Sequence, residues 1–446
     1  TPSIIRACVM QALLSLSMLT QREYDPPTAL SAAVLTILYL LMVLSACIPN
    51  EALKKNYERS AVYYGKQAAF AGAGEHAICS VADHYADAIL TGVSWHLGDG
   101  NAFASAINTR FNDGGEQGEN VGLIRSVTEG APSNTDYTRY WHGTAGLIRV
   151  LHLLFNLHGI KILGMICLFL LIGRTLWVLY RRGHWDLSLC LLISLLLVQI
   201  WNLRLSMEYQ PCFLICFALC PAFLRAEKQG NFYLNLLAIV SGTLTAFFDF
   251  LTTETVTILI PLILVIAIRS KERRLSTPLS VMKLLVRCSL CWLLAYAGMF
   301  ILKWILVSLA TGENHVLSAL DSAERRVSGV VTVGQLRKKP GFLMAIAANL
   351  SALFSGSKRT EYRLVIGMLF CLILLAYLLY RFCHFREKLR PGTLFILLLG
   401  SMVLLRYGLL ANHSYLHAFF TYRSLASTIL AVLTAVTLNL HTTKPG

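Results

Sequence analysis

The chain has 446 residues, a formal net charge of +15, 56% hydrophobic residues and only 14% charged residues, with a mean hydropathy of +0.59. Soluble domains carry roughly 25% charged residues, so this composition excludes a soluble enzyme, a disordered chain and a small disulfide scaffold. Lys and Arg form short clusters between apolar runs, a pattern that excludes a nucleic-acid-binding protein. The sequence therefore predicts a polytopic membrane protein.

Ten apolar windows approach the length of about 20 residues that a helix needs to cross a bilayer. They are 28–48, 157–180, 186–204, 211–225, 232–250, 255–269, 283–308, 363–380, 392–411 and 420–438. The segment 4–19 is apolar but carries Arg6, which favours an interfacial or re-entrant helix over an eleventh span. We therefore expect an all-α bundle of about ten transmembrane helices.

Basic short loops predict the orientation of this bundle, because cytoplasmic loops are enriched in Lys and Arg. The basic loops are 180–182, 225–228, 269–274 and 381–390, and the segments opposite them are 50–156, 205–210, 250–254, 309–362 and 412–419. Both termini then face the cytoplasm. The predicted organisation is an N-terminal segment 1–27, a first helix 28–48, a large extracytoplasmic loop 49–156, helices 2–7 over 157–308, a second extracytoplasmic loop 309–362, and helices 8–10 with a tail over 363–446.

The first extracytoplasmic loop has two helical patterns. One runs from Glu51, capped by Asn50, with an apolar face that begins at Leu53. The other covers 75–90 and places Asp83 and Asp87 one turn apart on the same face. Two neighbouring carboxylates repel each other, so we expect an Arg, a transition state or a divalent cation such as Mg or Mn beside them. A solvated helix face is the alternative interpretation.

Further candidate residues lie in that loop and at the predicted outer ends of the helices. Trp141 and His142 belong to an aromatic stretch that is typical either of an interfacial belt or of a wall that stacks on sugar or binds phosphate. Ionisable residues in or near spans are functional hypotheses by default. The set here is Arg204, Glu208, Asp249, Lys303, Arg406, His413, His417 and Arg423. Each alone fits a snorkelling side chain or an ion pair, such as Lys303 with Asp249, but together they predict a cationic cavity suited to phosphate.

This layout resembles the GT-C superfamily of integral-membrane glycosyltransferases, which use lipid-phosphate-linked sugars on the extracytoplasmic face. The shared features are about ten spans, a long first outer loop with acidic residues and a partly helical later outer loop. The resemblance implies a catalytic acid early in the first outer loop, a role that falls to Asp83 or Asp87. Glu51 and Glu58 lie nearer the first span, so the choice of acid stays open. The chain has no WWD-like string, which argues against the oligosaccharyltransferase branch.

Several strings also look like those of polytopic membrane proteins of Gram-positive bacteria, a closer resemblance that implies no particular activity. They are 48–60, 83–90, 140–143, 248–253, 303–304 and 413–423.

The leading prediction is an enzyme of the bacterial cell envelope that moves a sugar from a polyprenyl-phosphate donor to an extracytoplasmic glycan or lipid acceptor. In it Asp83 or Asp87 is the base on the acceptor hydroxyl. The expected phosphate ligands are Arg204, Lys303, Arg406 and Arg423, with His142, His413 and His417 orienting phosphate or relaying a proton. A transporter or flippase for a polyprenyl-linked or anionic lipid is the alternative, and it predicts polar residues in the inner half as well. A non-catalytic envelope-assembly subunit is the third possibility.

Overall fold

The computed structural model describes residues 26–72, 78–275, 277–333, 336–354, 390 and 392–440, together with 376, 377 and 380. Within these residues the chain is helical apart from three short antiparallel ribbons. The predicted segment 4–19, almost all of the window 363–380 and the basic loop up to 389 lie outside the described residues. The all-α fold class is confirmed for the described residues.

The described residues form eighteen α-helices, α1 to α18 in chain order. They are α1 (Pro26–Ala46), α2 (Asn50–Tyr64), α3 (His84–His96), α4 (Ala102–Ile107), α5 (Glu119–Thr128), α6 (Gly143–Leu151), α7 (Leu157–Arg181), α8 (Trp185–Leu197), α9 (Pro211–Gln229), α10 (Asn231–Phe248), α11 (Val256–Lys271), α12 (Pro278–Thr311), α13 (His315–Ser328), α14 (Phe342–Phe354), α15 (Thr393–Leu409), α16 (Ala411–Leu416), α17 (Ala418–Thr421) and α18 (Leu425–Leu440). The ribbons pair β1 (Phe70–Ala71) with β2 (Ala82–Asp83), β3 (Arg110–Phe111) with β4 (Thr135–Asp136), and β5 (Val331–Val333) with β6 (Leu336–Lys338).

Six helical stretches among the described residues are long and apolar enough to cross a membrane. They are Ala29–Ala46, Leu157–Arg181, Met207–Gln229, Asn231–Phe248, Pro278–Thr311 and Ala418–Asn439. Shorter apolar helices accompany them at Trp185–Leu197, Phe342–Phe354 and Thr393–Leu409. The protein is therefore embedded in a membrane by several apolar helices. The count of ten spans and the sides of the termini stay predictions.

Three local predictions were wrong. The window 186–204 is not one helix, because α8 ends at Leu197, Gln199 has a left-handed backbone (φ 55°) and the chain continues as a 3-10 helix. The acidic helix of the first loop begins at His84, and Asp83 is its N-cap instead of a residue on its face. Asn50 is the first residue of α2 and not its cap, because its Oδ1 accepts a hydrogen bond from Arg149. The helix α2 and its buried face, which begins at Leu53, are confirmed. The apolar helix α14 lies in the predicted second outer segment, which was expected to be partly helical.

The centre of the bundle is α11, which is buried on every side. Its side chains from Val256 to Ile268 are at most 4% exposed, as expected for a helix that is apolar all round. It packs against α9, α10, α15 and α18. The two ends of this helix therefore mark the two ends of the bundle.

One end of the bundle collects three of the predicted cytoplasmic loops around a single buried carboxylate, and we call it the basic end. Glu227 is 1% exposed. Its carboxylate lies 2.5 Å from Nη1 of Arg274, 3.4 Å from Nε of Arg269 and 3.9 Å from Nη1 of Arg182. These contacts hold the three loops together. The alternation of basic loops in the sequence predicts that they lie on the same side of the membrane.

The segment between α1 and α7 is attached to the bundle by Arg149 of α6, whose side chain is fully buried. Its guanidinium donates to the carbonyl oxygens of Ser45, Ser94 and Trp95, and also to Ile48 O and Asn50 Oδ1. The fixed fork of donors on an arginine suits this role. Arg149 thereby ties the end of α1 to the C-terminal end of α3.

Candidate functional site

Polar side chains from six separate segments meet at the end of the bundle opposite the basic end, which we call the polar end. The residues that build it are Asp83, Tyr140, Glu208, Asp249, Arg326, His413 and His417. All seven come from segments that the sequence places outside the membrane or at the outer ends of spans. We take this convergence as the candidate site.

Asp87 is fully buried and saturated by protein donors. Its Oδ2 accepts hydrogen bonds from Tyr64 OH (2.9 Å) and Lys161 Nζ (2.8 Å). Its Oδ1 accepts from Ser206 Oγ (3.0 Å) and from the backbone N–H of Met207 (2.7 Å). The predicted cation beside the acidic pair is therefore Lys161, at the start of α7, and Asp87 connects four elements of the fold.

Asp83 differs from Asp87 although both are buried. It is 4% exposed, and its Oδ1 accepts the N-cap hydrogen bond from Ala86 N–H at 2.9 Å. Burial raises the pKa of Asp83 to about 7, opposed by the hydrogen bond from Ala86 and reinforced by the nearby charge of Asp87. A carboxyl group that titrates near neutrality is suited to accept a proton in a reaction. Of the pair, Asp83 is therefore the candidate proton acceptor.

Two further carboxylates lie at the polar end on other elements. Glu208, between α8 and α9, is half-buried and interacts electrostatically with Asp83, Asp87 and Asp249. Asp249 follows α10 and is 1% exposed. It accepts hydrogen bonds from the backbone N–H of Thr252 at 3.0 Å and from the hydroxyl of Thr252. The polar end therefore has an acidic side, which the prediction of an overall cationic cavity missed.

Tyr140 lies between this acidic side and a cationic side. Its hydroxyl accepts a hydrogen bond from Nη2 of Arg326, whose guanidinium also lies 5.6 Å from the centre of the Tyr140 ring. Burial raises the pKa of Tyr140; the charges of Arg326 and Arg139 lower it, and those of Glu208 and Asp249 raise it. The Tyr140 hydroxyl therefore interacts electrostatically with two arginines and two carboxylates. Arg326, on α13 in the second outer segment, was not among the predicted site residues.

His413 and His417, two of the predicted histidines, are adjacent, with ring centroids 4.7 Å apart. Nε2 of His413 lies 2.9 Å from the carbonyl oxygen of Leu251. Burial and then the charges of Arg326 and Arg406 lower the pKa of His417 to about 4, so this imidazole is neutral at pH 7. Its Nδ1 is buried and has no hydrogen-bond partner in the part of the chain that the structure describes. A ligand oxygen or hydroxyl would satisfy that atom.

Three of the four predicted phosphate ligands, Arg406, Arg423 and Lys303, have other partners. Arg406 forms a buried ion pair with Glu254, with Nε–Oε1 at 2.8 Å and Nη2–Oε2 at 3.1 Å. Arg204 is exposed on a 3-10 helix. Arg423 is fully buried between the rings of Tyr209 (4.8 Å) and Tyr422 (4.9 Å), and it donates to backbone carbonyls. These contacts stabilise the helix ends around the site.

Lys303, Trp141 and His142 are packed inside the protein. The expected ion pair of Lys303 with Asp249 is wrong, since Lys303 Nζ donates to the carbonyl oxygen of Ile107 and lies 5.4 Å from the Trp141 ring centre. Trp141 is 1% exposed and its indole N–H donates to Met299 O at 2.8 Å. Burial lowers the pKa of His142 to about 3. Trp141 and His142 are therefore part of the packed interior and do not form an exposed wall.

A Ser-His-Asp arrangement occurs away from this site. Nε2 of His96 lies 3.0 Å from Ser126 Oγ, and Nδ1 lies 2.6 Å from Asp99 Oδ2. Ser126 is 1% exposed and donates its hydroxyl proton to Gly122 O at 2.9 Å. A serine nucleophile passes its proton to the adjacent base, whereas the Ser126 hydroxyl donates to a backbone carbonyl and not to His96. We therefore interpret this arrangement as a structural link between α3 and α5.

In the part of the chain that the structure describes, no group of three or more His, Cys, Asp or Glu residues is arranged to hold a metal ion. Asp87 has all its acceptor positions directed at protein donors. Asp87 therefore has no free acceptor position with which to bind a divalent cation together with Asp83. Searches of protein-family models, curated proteins and solved structures found nothing similar to this chain.

Proposed function

We propose that the protein is a membrane glycosyltransferase that moves a sugar from a polyprenyl-phosphate donor to a hydroxyl of an extracytoplasmic cell-envelope acceptor. The observation that carries the proposal is Asp83, a buried carboxyl group with a pKa of about 7 that faces a half-buried polar end. The described residues include six helical stretches long and apolar enough to cross a membrane, which suits a donor whose lipid tail stays in the bilayer.

In this proposal Asp83 is the general base. The acceptor hydroxyl oxygen attacks the anomeric carbon of the donor sugar and its proton passes to a carboxylate oxygen of Asp83. The bond between the anomeric carbon and the phosphate oxygen breaks, and polyprenyl phosphate leaves with the electron pair. A base that titrates near the working pH gives the best compromise between protonation state and basicity.

The phosphate of the donor is assigned to the cationic side of the polar end. Arg326 is the leading ligand. It lies beside Tyr140, and its Nη2 donates to the neutral hydroxyl of Tyr140 rather than to a carboxylate. A guanidinium binds phosphate with two parallel hydrogen bonds and stabilises the charge that develops on the leaving group. Arg139, which lies 5.3 Å from the Tyr137 ring centre, is the second cation on this side. His417 supplies the unpartnered ring nitrogen.

A transporter would use the same cavity without breaking a bond, and the centre of the bundle argues against it. Alternating access needs a polar route through to the other side. Between the polar end and the basic end lies α11, whose buried residues from Val256 to Ile268 are apolar except for Thr257. A bundle centre that is apolar along this helix favours transfer over transport.

The proposal is tested with purified protein in lipid vesicles that contain radiolabelled polyprenyl-phosphate sugars and a panel of envelope acceptors. Wild-type protein should produce a labelled acceptor and free polyprenyl phosphate in equal amounts. The Asp83→Asn variant should lose transfer, and the Arg204→Gln variant, altered at an exposed arginine, should keep it. Movement of intact donor between leaflets without release of polyprenyl phosphate would refute the transferase and indicate a carrier.

A further inference from the structure

An exposed aromatic surface adjoins Asp83 at the polar end. Phe70 is 40% exposed and Tyr85 38% exposed, and their rings are stacked with centroids 5.8 Å apart and an interplanar angle of 25°. The half-buried ring of Phe419 meets Phe70 edge-on at 5.9 Å. We call Phe70, Tyr85 and Phe419 the aromatic platform. Its rings come from β1, α3 and α17, so the fold itself brings them together.

The platform is fixed to the candidate site on both sides. Phe70 is the register partner of Asp83 in the ribbon of β1 and β2, and the backbone N–H of Tyr85 donates to Ala69 O at 2.9 Å. On the other side, Phe419 contacts the ring of His417, with centroids 5.9 Å apart. A molecule that stacks on the platform therefore lies directly beside the proposed base.

The platform has a polar rim. The hydroxyl of Tyr85 is hydrogen-bonded to Glu119, and burial followed by the charge of Glu119 raises the Tyr85 pKa to about 12. Asn120, next in sequence, donates to Gln67 O at 2.9 Å. Apolar ring faces with hydrogen-bonding groups at their edges match the two-sided chemistry of a sugar ring, which has C–H faces and peripheral hydroxyls.

A groove of about 560 Å³ begins at Gln67 and follows α2 away from the platform. Its charged lining residues are Lys55, Arg59, Lys66 and Glu58, so cations exceed carboxylates. Tyr63, on the same wall, lies with its ring 6.1 Å from that of His84, the residue after Asp83. The groove therefore leads from the neighbourhood of Asp83 along a surface that suits a hydroxylated, negatively charged chain.

We infer that the aromatic platform is the acceptor subsite and that it stacks on the terminal sugar ring of an anionic glycan, whose preceding units lie in the basic groove along α2. This inference rests on the proposed function and specifies its acceptor. It gives Phe70, Tyr85 and Phe419 a role in binding the acceptor, separate from the donor phosphate on the cationic side.

The test compares Phe70→Ala and Tyr85→Ala with Phe232→Ala, which removes a more exposed aromatic ring from the start of α10. An aromatic pair contributes enough that each platform variant should raise the KM for acceptor roughly threefold to tenfold. The KM for donor, and the slow release of polyprenyl phosphate to water without acceptor, should stay at the wild-type value. Unchanged acceptor KM in both platform variants, or equal changes for donor and acceptor, would overturn the inference.

Direct binding separates failure of this inference from failure of the proposed function. The probes are neutral and uronic-acid-containing oligosaccharides, with binding measured on the purified protein without donor. We expect the acidic oligosaccharides to bind more tightly, with Arg59→Gln removing that preference and the exposed Lys54→Gln retaining it. Platform-dependent binding without any transfer would keep the subsite and refute the enzyme. Transfer that occurs without platform-dependent binding would refute the subsite alone.

Discussion

Lys161 Nζ lies 2.8 Å from Asp87 Oδ2, and both side chains are removed from solvent. This contact resolves the acidic pair of the first outer segment into two different groups. Asp87 pairs with this cation and holds the chain at Ser206 and Met207 in place, while Asp83, one turn earlier, has no cationic partner of this kind among the described residues. In the proposed mechanism Asp87 therefore positions the chain and Asp83 takes the proton.

We predict that breaking this pair destabilises the protein. The Lys161→Met variant leaves the buried carboxylate of Asp87 without its cation, which should lower the free energy of unfolding by about 3–5 kcal/mol. Thermal unfolding in detergent measures the loss, and the exposed Lys54→Met variant is the control. The double variant Asp87→Asn/Lys161→Met should recover much of the stability. A double variant no more stable than Lys161→Met would contradict this account of the pair.

The ion pair of Arg406 with Glu254 should behave in the same way and not as a phosphate site. We expect Arg406→Gln alone to lower the unfolding temperature strongly, because Glu254 is buried without compensation. Adding Glu254→Gln should restore most of the lost stability and retain donor binding. If the double variant were stable but unable to bind donor, Arg406 would have to be returned to the phosphate site.

Arg326 should determine the affinity for donor. We expect Arg326→Gln to raise the KM for polyprenyl-phosphate sugar about tenfold or more, since a charged hydrogen bond to phosphate contributes about 1.5–3 kcal/mol. Arg325→Gln removes the neighbouring, exposed guanidinium on α13 and serves as the matched control. Equal effects of the two substitutions would indicate a general change in surface charge and would exclude a specific contact.

The rate of transfer should rise with pH through about 7, because Asp83 acts in its deprotonated form and its pKa is about 7. At pH 6 the rate should be about one tenth of its value on the plateau above pH 8. Initial rates at saturating donor and acceptor measure this profile. A profile that is flat from pH 6 to pH 8 would exclude Asp83 as the base.

Stability should have the opposite pH dependence. The folded-state pKa of Asp83 lies above the usual value of about 3.9, so the folded protein retains a proton that the unfolded chain loses. This contribution is fully present below about pH 4 and is lost as the pH rises through about 7. Unfolding by denaturant in detergent should show a decline that Asp83→Asn abolishes. An identical decline in wild type and variant would assign it to another group.

The sequence allowed the helical membrane fold and the clustering of polar residues at one end to be predicted, because apolar windows and charge clusters are local patterns. It did not identify Lys161, which begins an apolar helix and contacts Asp87 only through the tertiary fold. Arg326 was missed for a similar reason, since its contact with Tyr140 joins residues 186 positions apart. The helix start at His84 differed from the prediction because the ribbon between β1 and β2 uses the residues before it.

The central claim is that Asp83 is the base of a glycosyl transfer, and single-turnover transfer by Asp83→Asn against wild type tests it most directly. Both proteins are loaded with a labelled polyprenyl-phosphate sugar whose binding is confirmed beforehand, and the labelled acceptor is then quantified over time. We predict that Asp83→Asn binds donor normally and transfers sugar 10²–10⁴-fold more slowly. Transfer at the wild-type rate by a folded, donor-bound Asp83→Asn variant would contradict the account.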